Sequence, residues 1–151
     1  IGFGNAGVHL CHGMSYPVSG MVKTYRAPGY PQEHPIVPHG MAVILNAPAV
    51  FRWTAESDPA LHLHCAELMG ADIEGADPAD AGEILADTTS DLMRMVGLPS
   101  GLAAVGFGSE DVASLVEGTL PQHRVTKLSP RPVTASDLER LFLDNMHHWD
   151  D

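Results

Sequence analysis

Two Asp-Pro pairs, Asp58-Pro59 and Asp77-Pro78, constrain this chain more than any other feature. In each, a carboxylate able to accept from the free N–H groups of a helix start precedes a proline. The fixed φ and missing N–H of that proline suit the first helical position. Gly70 and Gly97 then supply residues that close a helix readily in the left-handed region. The two bounded segments are predicted helices. In the second, Ile84, Leu85, Thr88, Leu92 and Met95 recur at helical spacing, which predicts that their face packs on the core.

The same punctuation runs through the rest of the chain. Gly7 to Val22 reads as a helix, weakened in its second half by Pro17 and Gly20. Ala27 to Pro38 carries four prolines and reads as an irregular loop. Gly40 to Ala55 is apolar on nearly all sides and is expected to form the central buried helix, with Pro48 as an interior break. Ser109 is expected to cap a short helix through Gly118, and residues 119–133 to form an extended connector. Thr134 to Trp149 is expected to be the last helix, with Thr134 and Asp137 spaced as a capping box. With almost no strand punctuation, the expected fold class is all-α.

A chain of 151 residues buries one core. Its 8 Lys+Arg against 19 Asp+Glu give a formal charge of −11, which argues against nucleic acid or an anionic membrane as partner. No apolar run approaches the ~20 residues that span a bilayer. No basic leader with a small-residue cleavage site opens the chain. A soluble, cytoplasmic protein is expected on those grounds. Cys11 and Cys65 give no disulfide framework and are expected to be buried small hydrophobes. Ile1 stands where methionine would begin a complete chain, so processing, or a piece of a longer protein, is expected.

The chemistry-bearing residues are histidines. Along a helix over Gly7 to Val22, His9, His12 and Tyr16 fall at i, i+3 and i+7, on one stripe. Pro38-His39-Gly40 sets another imidazole at the start of the expected central helix, with a glycine that permits close approach. Two neutral imidazoles on adjacent buried helices make half of a site for zinc or ferrous iron, which usually takes three protein ligands and an open position. His62 and His64 fall on different faces of their helix, and His147 and His148 in a tail expected to fray. The stretch GFGNAG, Gly2 to Gly7, has the letters of a dinucleotide fingerprint, but no strand precedes it and no acidic residue stands about twenty positions on.

The stretch NAGVHLCHGMSYP followed by PHG resembles the metal-binding region of the iron-containing (group III) alcohol dehydrogenases. HPIVPHGMAVILNAPAVF, AELMGAD, SGLAAVGFG and GTLPQHRVTKLSPRPVT extend the likeness over nearly the whole chain, toward the family's hydroxyacid-oxoacid transhydrogenase branch. The resemblance implies the C-terminal helical domain of a dehydroquinate synthase-like two-domain fold, with residues 1–151 as the metal-binding domain. The dinucleotide-binding domain would then lie outside this chain. It implies His12 and His39 as ligands of a divalent metal, iron or possibly zinc, with an aspartate and a histidine upstream completing the set. Many relatives carry a second histidine four residues after the first metal-binding one, near the nicotinamide. Tyr16 stands at that position and is the candidate catalytic side chain.

The implied activity is hydride transfer through bound NAD(P) from a hydroxyacid such as 4-hydroxybutyrate to a 2-oxoacid such as 2-oxoglutarate. An NAD(P)-dependent alcohol dehydrogenase acting on alcohols and aldehydes is the alternative within the family, and a non-enzymatic helical module the alternative outside it. His9 fits no ligand position. A loop over residues 25–37 lengthens the gap between His12 and His39, and Arg26 and His34 within it are candidates to hold a carboxylate. Such a domain is expected to self-associate or to pair with the dinucleotide-binding part, and alone to expose an apolar patch around the His12 stripe.

Overall fold

The structure, a computed structural model, describes residues 5–150. The first half of the GFGNAG stretch falls outside them. The described residues are helical, with a single isolated bridge between Arg26 and Ile36 in place of any strand. In chain order the α-helices are α1 (Leu10–Gly20), α2 (His39–Ile44), α3 (Ala47–Thr54), α4 (Pro59–Leu68), α5 (Ala81–Met95), α6 (Val112–Thr119), α7 (His123–Thr126) and α8 (Ala135–Asp144).

Helix α1 sets the site because its faces go to different places. Leu10, Met14 and Val18 are fully buried in the core shared with Leu45, Val50, Leu115, Leu138 and Phe142. At 100° per residue this stripe lies roughly opposite the one carrying His9, His12 and Tyr16. Burying the first therefore presents the second outward. The helix begins three residues later than expected, at Leu10, with the His9 carbonyl accepting from the amides of His12 and Gly13 at 3.0 Å. Pro17 does not end it. Its ring is buried against Gly118 of α6, where a Cβ would stand 2.8 Å from the Pro17 Cβ.

The expected single helix from Gly40 to Ala55 is two. Chain direction changes at Leu45-Asn46, and Pro48 sits in the first turn of α3, where a proline breaks nothing. Only Ala42 of α2 is fully buried, so the central helix is α3. Asn145 holds the junction: its amide donates to the carbonyls of Asn46 (3.1 Å) and Leu141 (2.8 Å), and its oxygen accepts from the Ala49 amide (3.1 Å).

Helix α5 packs on α3 and α4, but through Gly82, Leu85, Ala86, Thr89 and Met93. Leu92 and Met95, expected on the core face, are exposed. Close approach at Gly82 fixes which face meets α3: a Cβ there would lie 2.9 Å from the Arg52 Cα and from the Ala55 Cβ, so the position takes no side chain. Asp58 caps α4 as expected, accepting from the Leu61 amide at 3.0 Å. Asp77 caps a 3-10 turn, Pro78–Asp80, that leads into α5. Ser109 does not cap α6; the Asp111 carboxylate accepts from the Gly108 amide at 2.8 Å and closes a turn ahead of it.

The expected extended connector contains α7. Helix α8 starts on the reciprocal Thr134–Asp137 box but stops at Asp144, five residues short of Trp149. The tail beyond Asp144 does not fray. Leu102 and Ala103 amides donate to the Asn145 and Met146 carbonyls, and the Ser100 hydroxyl donates to the Trp149 carbonyl. His148 is half-buried, its Nε2 2.9 Å from the Leu45 carbonyl oxygen. Cys11 and Cys65 are free but only partly buried; the Cys11 thiol is nevertheless desolvated enough to be pushed up to about 12.

Candidate metal centre

The loop before α2 brings His39 to α1. The Ile36 amide donates to the Tyr25 carbonyl at 2.8 Å, the Gln32 side chain donates to the Ala27 and Tyr30 carbonyls, and the Ser19 hydroxyl of α1 donates to the Val37 carbonyl at 3.2 Å. Ala27 and Val37 are buried beneath. A proline-rich segment thus folds as a fixed strap, and its far end sets His39 beside the outward stripe of α1. Arg26 is part of that strap, donating to the Gln32 carbonyl at 2.7 Å, and His34 is exposed.

The His12 and His39 rings lie with centroids 5.2 Å apart at 64°. Two imidazoles on one tetrahedral ion, each with a metal–nitrogen distance near 2.1 Å, have centroids roughly 5 Å apart. The pair fits that requirement. The His12 pKa is lowered by desolvation first and by His39 second, which favours the neutral imidazole. His12 is half-buried and His39 exposed, so the pair lies at an open surface of this chain, not between buried helices as expected. Among the described residues no group of three or more His, Cys, Asp or Glu is placed to hold an ion.

Tyr16 stacks on His39, with ring centroids 6.1 Å apart at 17°. His9 lies one turn back. Desolvation, then His12 and His62, lower its pKa, and its buried Nδ1 finds no partner among the described residues. It lines both a 280 Å³ cleft shared with His12, Val43 and Phe51 and a 490 Å³ cavity shared with Thr54, His62 and Cys65. His62 bridges the Thr54 hydroxyl (3.0 Å) and the Asp58 carbonyl (2.8 Å) and does not approach the His12–His39 pair as a third member.

One neighbour of the site was invisible to pattern reading. Arg124 of α7 donates to the Tyr16 hydroxyl at 3.2 Å across 108 positions of sequence. Gly13 makes the approach possible, because a Cβ there would lie 3.1 Å from the Thr126 methyl. No local signal in the QHR stretch points to Tyr16.

Residues 1–146 match the family model described as Fe-containing alcohol dehydrogenase family, C-terminal. The chain belongs to this family. Curated relatives include the hydroxyacid-oxoacid transhydrogenases, mitochondrial, of Pongo abelii (56% identical; 97% of this chain, 31% of the relative) and Xenopus tropicalis (56%; 97% and 32%). A probable enzyme of the same name from Dictyostelium discoideum is 53% identical over 97% of this chain and 27% of its own length. The chain thus spans about a third of the length of the relatives it matches. Among solved structures, a 1,3-propanediol oxidoreductase and an alcohol dehydrogenase from Oenococcus oeni share the fold, each with a TM-score of 0.79 at 24% identity over 95% of this chain and 34% of theirs. These findings bear out the resemblance read from the motifs and the all-α class. They overturn the cytoplasmic expectation: the relatives' names place them in the mitochondrion. An absent leader signal in this stretch carried no information about compartment.

Proposed function

We propose that this chain is the helical, metal-binding part of a longer mitochondrial oxidoreductase that moves hydride between a hydroxyacid and an oxoacid through a bound nicotinamide. The observation that carries the reading is the His12–His39 pair, two imidazoles at a separation suited to one ion, in a chain more than half identical to enzymes named hydroxyacid-oxoacid transhydrogenases. His12 and His39 would hold iron or zinc, and the ligands that complete the set would come from outside this chain. When bound, a divalent ion supplies Lewis acidity toward a substrate oxygen, and NAD(P) supplies the hydride carrier.

The chain's own residues do the positioning. Desolvation, and next His39, lower the His12 pKa, which favours the neutral imidazole that a metal takes. The strap over residues 25–38 fixes where His39 stands, and Tyr16 packs flat against its ring. The Tyr16 hydroxyl accepts from Arg124 at 3.2 Å and keeps its own proton, so it can donate a hydrogen bond to a substrate at the centre.

The test uses the full-length protein that contains this chain. Incubated with 4-hydroxybutyrate and 2-oxoglutarate and no added NAD, it is expected to form 2-hydroxyglutarate, and His39→Ala is expected to lose both turnover and metal by elemental analysis. Product that appears only when free NAD is supplied and regenerated replaces the transhydrogenase reading with an ordinary alcohol dehydrogenase. A His39→Ala protein that keeps its metal removes the centre from the pair altogether. With two donors, the isolated chain is expected to release metal to a chelator during dialysis.

A further inference from the structure

We propose that Arg124 holds the substrate's carboxylate and is the residue that selects acids over plain alcohols; this rests on the site and substrate class proposed above. Among the described residues three of the eight Lys and Arg side chains are paired with carboxylates. Lys23 is paired with Asp111, Arg52 with Glu83 and Asp87, and Arg131 with Glu56. Arg26, the cation that sequence placed nearest the site, is spent on the Gln32 carbonyl of the strap.

Arg94, Lys127 and Arg140 also have no ion pair among the described residues; Arg124 is set apart by its bond to Tyr16. Among the described residues its guanidinium has one partner, the Tyr16 hydroxyl, and no acidic side chain. A guanidinium presents five donors in a planar fork, so one bond to a phenol leaves the paired face that matches a carboxylate. Its place follows from packing. Gly13 lets α7 lie against α1, Tyr16 stands one turn on from Gly13 and stacks on His39, and Arg124 donates to the Tyr16 hydroxyl at 3.2 Å. From the candidate metal ligand the contacts run from imidazole to phenol to guanidinium. A substrate with its reacting oxygen at the His12–His39 centre and a carboxylate at its other end lies along that order, charge to charge. A neutral alcohol has nothing to offer the last member.

The full-length protein and its Arg124→Met and Arg124→Lys variants are compared with 4-hydroxybutyrate and with 1-butanol, and the calorimetric Kd of glutarate, a dicarboxylate with no reacting oxygen, is measured on each. For Arg124→Met the ratio of kcat/KM for the acid over the alcohol is expected to fall roughly tenfold to a hundredfold, carried in KM, with glutarate binding weakened in step. Arg124→Lys is expected to restore part of both, since it returns the charge without the fork. Tyr16→Phe, which removes the hydroxyl that steadies the guanidinium, is expected to shift the ratio the same way by less. An unchanged ratio, a parallel fall for both substrates, or unchanged glutarate binding overturns the assignment of Arg124 while leaving the transhydrogenase reading intact. A parent protein that does not act on the hydroxyacid at all overturns both.

Discussion

Replacing Asn145 removes the clamp that joins the end of α8 to the turn between α2 and α3. The residue is fully buried, and its amide makes three hydrogen bonds, to the carbonyls of Asn46 and Leu141 and from the Ala49 amide. In Asn145→Ala the Leu141 carbonyl loses a second donor only, but the Ala49 amide is one of the orphan donors of the α3 start and is left buried without a partner. Three bonds at about 1 kcal/mol net, one stranded donor and a small void sum to roughly 3–5 kcal/mol. A domain of this size holds about 5–15 kcal/mol in all, so the variant should sit near the edge of folding. Asn145→Asp keeps the acceptor toward Ala49 and aims a desolvated carboxylate at two carbonyls. Its folded pKa must therefore rise above the unfolded value. The penalty is absent below pH ~4, where both states are protonated, and grows as pH rises toward the raised value. Urea unfolding followed by Trp fluorescence at pH 7 and pH 4 measures both effects. A loss below about 1 kcal/mol for Asn145→Ala, or an Asn145→Asp deficit that shrinks with rising pH, would refute the clamp. Because Asn46 closely follows α2, a loosened clamp should also cost metal retention at His39.

Gly82→Ala should destabilise by about 1–3 kcal/mol despite a better helix propensity, because the added methyl meets the Arg52 backbone at 2.9 Å, and a thermal melt unchanged from the parent would contradict that. Thr134→Val should cost about 1 kcal/mol at pH 7 through loss of the α8 cap. The Thr134 hydroxyl, and next its amide, hold Asp137 below the usual carboxylate range, so this stabilisation is present above pH ~4 and is lost as pH falls through the depressed value. The Thr134→Val deficit in urea should accordingly shrink at pH 2–3, and a deficit independent of pH would assign it to packing.

Outside the His12 stripe, the most exposed large apolar side chains are Leu68, Met95 and Val96, at the C-terminal ends of α4 and α5. The apolar patch expected around the His12 stripe therefore does not account for the main apolar exposure of this chain. Hydrophobic periodicity alone had set Leu92 and Met95 toward the core. The structure instead buries the face of Gly82, Leu85, Ala86, Thr89 and Met93, with Gly82 tight against Arg52 and Ala55.

Local chemistry was legible. Asp58, Asp77, Thr134 and Asp137 cap turns or helices because a short polar side chain reaches an amide two or three residues on, and that geometry is written within a few letters. The stripe of His9, His12 and Tyr16 was legible for the same reason, since a helical period relates residues within two turns. The motif resemblance named His39 as well, but its meeting with His12 depends on how the strap over residues 25–38 folds back. Tertiary packing alone decided the break at Leu45-Asn46, which Asn145 stabilises from 99 positions away, the pinned tail after Asp144, and the contact of Arg124 with Tyr16. Those features rest on shape and on hydrogen bonds between distant segments. A sequence states which side chains can make such bonds, but close packing of the whole chain decides which of them come within reach.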